Sequence, residues 1–125
     1  MPKTEPTVIF QDRICRVTAR PDVWGAKEGE GEYAPGAYEV TDAEGSGFLQ
    51  SILYQRRPLK VAGANGVTME ALIAVCIDRL EAFQESPFAS PDNAEAIKHL
   101  QAANEALGRR IKDRVERGVH GTYGK

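Results

Sequence analysis

The densest chemistry in this 125-residue sequence is a run of cations near its C-terminal end. The segment RRIKDRVER, Arg109 to Arg117, carries five positive and two negative side chains. Arg110 and Arg114 are four residues apart and Arg117 follows three later, so on a helix the three share one face. Two parallel guanidinium groups suit a diphosphate, because each can donate two hydrogen bonds in a plane. The same residues also fit a solvated helix end, where cations offset the helix dipole and pair with Asp113 and Glu116. A second pair could read a base: Phe83 offers an aromatic face for stacking, and Asn93 an amide for a purine's polar edge. Equally, Phe83 could fill a core and Asn93 could simply open a helix.

Groups suited to catalysis are sparse. The two histidines are His99, in a helical stretch, and His120, near the end of the chain. The sequence contains no Gly-x-Ser-x-Gly elbow, no phosphate-binding glycine-rich loop and no metal-ligand spacing. Glu81 and Glu85 lie one helical turn apart, but nothing opposite completes a magnesium site, so they read as solvated surface. An enzyme is therefore disfavoured, and no cofactor or metal is expected. Cys15 and Cys76 are too few and too distant for a disulfide framework or zinc site and read as buried thiols. A net charge of −2 argues against a general nucleic-acid or membrane coat. The longest apolar run, Ala71 to Ile77, is far short of the roughly 20 residues that cross a bilayer. The opening MPKTEP lacks the apolar stretch of a secretory signal, which predicts a cytoplasmic protein.

These groups must be held by two dissimilar halves. Eight of the twelve glycines fall by residue 66. Between them, Thr7–Phe10, Ile14–Ala19, Ala37–Thr41 and Phe48–Gln55 have the length and β-branched or aromatic content of strands. Asp42 to Gly47 reads as a hairpin turn, and Trp24 to Tyr33 as a long, polar, glycine-rich connection. From residue 67 the period becomes helical. Thr68 is the expected N-cap, with Glu70 in the first turn. Met69, Leu72, Ile73, Cys76, Leu80 and Phe83 form an apolar stripe that Val75 and Ile77 widen, predicting cover on more than one side. Residues 86–91 end this helix. A second starts at Pro91 or Asp92, with the stripe Ile97, Leu100, Leu107, Ile111 and Val115, and runs towards Gly118. The expectation is an α+β chain: a small antiparallel sheet over 1–66, then an antiparallel helical hairpin and tail over 67–125.

Neither half buries enough surface to fold comfortably alone, which predicts a homo-oligomer. Asn93 and Arg110 are 17 positions apart on one helix, about 25 Å at the standard rise. They cannot hold one small ligand within a chain. An antiparallel second copy would bring its Arg110 and Arg114 beside Phe83 and Asn93, twice per two-fold dimer.

Four blocks, NGVTMEAL (Asn65–Leu72), IDRLEAFQ (Ile77–Gln84), PFASPDNA (Pro87–Ala94) and RIKDRVERGVHGT (Arg110–Thr122), recur here in a fixed order and spacing. In these blocks the chain resembles the phage-encoded Thoeris anti-defence sponges, whose helical hairpin is shared with the phage anti-CBASS cyclic-nucleotide sponges. The sequence departs from the common FACREN run at Phe88 to Asn93, which reads FASPDN, and has no large aromatic over Glu105 to Gly108. The resemblance implies a protein without turnover that sequesters cyclic ADP-ribose isomers (glycocyclic ADP-ribose) made by bacterial TIR-domain immune proteins. It also implies homo-dimers or hexamers, cyclic trinucleotides at separate sites, and action in the cytoplasm of the infected host. By motif position, the implied ligand contacts are Phe83, Asn93, Arg110 and Arg114, with Arg57 as an additional contact. Thr68 and Arg79 are candidates for a trinucleotide site, against N-cap and ion-pair roles. Two other functions compete: a small phage regulatory module binding protein or nucleic acid through the basic helix face, and a hydrolase of the same signals.

Overall fold

The computed structural model describes residues 5–23 and 34–118. The glycine-rich connection Trp24 to Tyr33, His120 and the end of the fourth block lie outside the described residues. The described chain is α+β. Strands β1 (Thr7–Gln11), β2 (Cys15–Ala19), β3 (Ala37–Asp42) and β4 (Phe48–Leu53) precede helices α1 (Leu59–Ala62), α2 (Met69–Gln84) and α3 (Pro91–Glu116). The contacts divide it into two units, one reaching to Val67 and the other starting at Thr68.

In the first unit the strands form an antiparallel sheet in sequence order, β1-β2-β3-β4. Two aspartates build its hairpin turns. Asp12 Oδ1 accepts from the N–H groups of Ile14 and Cys15 at 2.8 and 2.7 Å. Asp42 accepts from the N–H groups of Glu44 and Ser46 at 3.2 and 2.9 Å and from the Ser46 hydroxyl at 2.9 Å. Short carboxylates that reach forward to their own backbone favour turns over continued strand. Gly45 takes φ 78° in the second turn, where a side chain would be strained. Cross-strand partners share a face, so Phe10, Val17, Val40, Ala19, Tyr38 and Ile52 lie on one side of the sheet. The edge strands each carry a bulge, at Ile9 in β1 and at Leu49 in β4.

Beyond β4 the chain departs from the sequence-based expectation. The last strand stops at Leu53, and residues 54–67 fold as a stitched loop around α1, which apolar periodicity does not reveal. Tyr54 bridges Val67 in parallel, and Gly66 is pressed on the Tyr54 carbonyl so closely that a Cβ would overlap it. The Gln55 amide donates to Gly63 O at 2.7 Å and accepts from Asn65 N–H at 2.9 Å. Asn65 in turn holds both the N–H and the C=O of Arg56 at 2.8 Å.

The second unit is the antiparallel hairpin of α2 and α3. The Thr68 hydroxyl caps α2 by accepting from Ala71 N–H at 3.1 Å, and Ser90 caps α3 by accepting from Asn93 N–H at 3.1 Å. At the far end Gly118 takes φ 73°, which stops α3. The predicted single stripe on α2 divides in two. Leu72, Ile73, Ile77 and Leu80 are half-buried, whereas Met69, Val75, Cys76 and Phe83 are exposed. A single partner helix covers only one narrow face. The expectation of buried thiols is thus corrected: Cys76 is exposed and Cys15 half-buried. On α3, Val115 is exposed and Arg114 occupies the half-buried position after Ile111. Asn104 sits on the same half-buried face and donates to Glu70 O at 3.3 Å.

Candidate functional site

Phe83 lies in the last turn of α2 and stands 36% exposed, so it is not a core residue. The Arg79 guanidinium, one turn earlier, lies over its ring at 5.2 Å, a cation–π contact that holds the ring in place. The turn that follows is tightly bonded. The Ser86 hydroxyl donates to Phe83 O at 2.6 Å and accepts from Phe88 N–H at 3.1 Å. The Gln84 amide grips both backbone groups of Ser90, at 2.9 and 3.0 Å. These bonds satisfy backbone groups that a six-residue connection would otherwise leave to water.

Asn93 lies in the first turn of α3, half-buried, and its Nδ2 donates to Phe88 O at 3.2 Å. That donor bond fixes the amide and leaves Oδ1 as its acceptor end. Phe83 and Asn93 are thus both positioned by the same turn. Beside them Arg79, Ala82, Phe83, Ser86 and Phe88 line an open, mostly apolar recess of about 260 Å³.

The cations lie at the other end of the hairpin. Arg110 is exposed and makes no ion pair among the described residues, while Arg114 is half-buried. Arg117 bonds Asp113 at 2.9 Å, and Lys112 lies 4.0 Å from Glu116. For these two residues the plain reading, surface pairing at a helix C-terminus, holds. Seventeen positions at the helical rise separate Asn93 from Arg110 by about 25 Å. Arg57 is in the first unit, exposed, with φ 65° in the stitched loop. The chain therefore anchors Phe83 and Asn93 in the same turn and places Arg110 and Arg114 towards the other end of α3.

Of the remaining candidates, Thr68 is the N-cap described above. Arg79 stacks on Phe83. Glu81 and Glu85 are exposed, as is His99, which lies 3.5 Å from Glu95. Among the described residues no group of three or more His, Cys, Asp or Glu could hold a metal ion. No described helix is long and apolar enough to cross a membrane. Phe88, Ser86 and Gln84 escaped the residue-level reading, because turn residues belong to no apolar period; Phe88 stood out only as part of a motif.

The second unit is thus a helical hairpin with an aromatic ring and an amide at its turn and guanidinium groups towards its other end. Residues 50–112 match the family model described as Acb2/Tad1, hairpin domain. The chain belongs to this family. It is also 42% identical over 87 residues to the protein named Thoeris anti-defense 1 of Bacillus phage SBSphiJ7, an alignment spanning 70% of this chain and 61% of that relative.

Proposed function

We propose that the protein is a phage anti-defence sponge that binds cyclic ADP-ribose isomers, glycocyclic ADP-ribose among them, and withholds them intact from the Thoeris system. The carrying observation is that one hairpin holds a ring and an amide, Phe83 and Asn93, at one end and guanidinium groups, Arg110 and Arg114, at the other, which would suit them to a base and a diphosphate. A ligand with both an adenine and a pyrophosphate requires both ends. An antiparallel second copy supplies them, within a dimer or a hexamer. The relative's anti-Thoeris name and the family match support this assignment. Arg57, on the loop before α1, is a further candidate cation for the ligand, and cyclic trinucleotides would occupy separate sites.

Suppressing a signal requires tight binding and no bond cleavage. A nanomolar dissociation constant corresponds to about 12 kcal/mol. Charge-assisted hydrogen bonds at about 1.5–3 kcal/mol each, with stacking at about 1–3 kcal/mol, bring that within reach.

Incubating the protein with cyclic ADP-ribose isomers, then denaturing the retained fraction and weighing its ligand by mass spectrometry, tests the assignment. Intact ligand is expected. Altered ligand would mean a hydrolase, and an empty protein a regulatory module that meets protein or nucleic acid through its basic helix. Arg110→Ala should weaken capture by about tenfold to a hundredfold with an unchanged circular dichroism spectrum. Unaltered capture would remove Arg110 from the site.

A further inference from the structure

Phe88 is 74% exposed, an unusual setting for an aromatic side chain, yet its backbone is tightly held. Its N–H is bonded to the Ser86 hydroxyl and its C=O to the Asn93 amide. A large apolar side chain on a fixed backbone, facing water, has the form of a binding anchor. It shares the recess with Phe83, yet the two rings do not stack on each other: Tyr38 and Tyr54 form the one ring pair among the described residues. At about 260 Å³ the recess is below the roughly 300–1,000 Å³ of sites that enclose a drug-sized ligand. That volume suits part of a nucleotide, such as one planar base, rather than a whole cyclic dinucleotide.

From this we infer that Phe88 is a second aromatic wall, against which a purine base packs as it enters the recess beside Phe83. The inference rests on the sponge reading and adds to it a residue that selects for the base. Arg79, one turn before Phe83, holds its ring, and Asn93 bonds the Phe88 carbonyl through Nδ2, which leaves Oδ1 as the acceptor for a base edge. Base recognition is thereby confined to one turn, independent of the cations that meet the pyrophosphate.

Isothermal titration with cyclic ADP-ribose and its glycosidically linked isomers tests this on the wild type, Phe88→Leu and Phe88→Tyr, with light scattering to follow assembly mass. Leucine preserves apolar bulk but has no π face, whereas tyrosine keeps the ring. Phe88→Leu should weaken binding by about five- to a hundredfold, and Phe88→Tyr should retain wild-type affinity, both at unchanged mass. Wild-type affinity in Phe88→Leu would overturn the inference and leave the sponge reading standing. So would equal losses in both variants, or a loss that accompanies a change in mass. A wild type that binds none of these ligands would overturn both.

Discussion

At the scale of single residues, the carboxylates of the sheet do most to link structure to solution behaviour. Backbone and hydroxyl donors from Ser46 hold the Asp42 carboxyl below the ordinary carboxylate range, and the Cys15 and Ile14 N–H groups lower Asp12 likewise. Asp22 is lowered by its bond to Arg20, which also reaches Glu39 at 3.0 Å. A pKa depressed on folding contributes stability above the unfolded value, and that contribution is lost as pH falls through the folded one. The melting temperature should therefore be level from pH 8 to 5 and decline below about pH 4. Asp42→Asn keeps an acceptor but has no charge to neutralise, so its decline should be shallower. Parallel acid limbs for the two proteins in scanning calorimetry would place the acid sensitivity elsewhere.

Among the elements, the joints carry sharper expectations than the strands or helices they connect. Gly66 packs on the Tyr54 backbone, where an added Cβ would also lie 2.7 Å from the Gln55 nitrogen. Backbone cannot step aside as a flexible side chain does. Gly66→Ala should break the Tyr54–Val67 bridge and speed amide exchange at Gln55 and Val67, whose N–H groups bond Val67 O and Leu53 O; unchanged exchange would show that the loop adapts. Ser90→Ala removes the α3 cap and should cost about 1 kcal/mol in urea unfolding at constant m-value. Such contrasts explain what was legible in the sequence. Asp42, Thr68, Glu70 and Pro91 act through neighbours a few positions away, so the second hairpin turn and both helix starts could be read from local chemistry. The loop around α1 depends on Gln55 reaching Gly63 and Asn65, and no apolar period marks such polar stitching. On α2 the period correctly gave a helix but not which apolar residues its single partner covers. Phe83, Asn93 and the arginines were legible as chemical types. Phe88 was not, since it lies in the turn between the helices, where no apolar period marks it, and only its backbone is bonded to Ser86 and Asn93.

For the whole molecule, the decisive quantity is apolar surface left in contact with water. The buried apolar side chains among the described residues are Ala19 and Ala37, whereas sixteen large ones, from Val8 to Val115, are exposed. Two buried alanines and half-buried seams supply little apolar burial to set against a backbone entropy of about 1–2 kcal/mol per residue. A second copy that covers these surfaces would supply the missing burial and would also complete the proposed ligand site. Light scattering should then report two or more chains per particle, with a melting temperature that rises with protein concentration. Val75, 64% exposed on the outer side of α2, allows a stricter check. On a solvated face Val75→Glu should shift stability by no more than about 0.5 kcal/mol. On a covered one it buries an unpaired carboxylate, which should reduce particle mass and lower the melting temperature together. A single-chain particle whose melting is indifferent to dilution would leave Arg110 and Asn93 about 25 Å apart on α3, with no second hairpin to unite them.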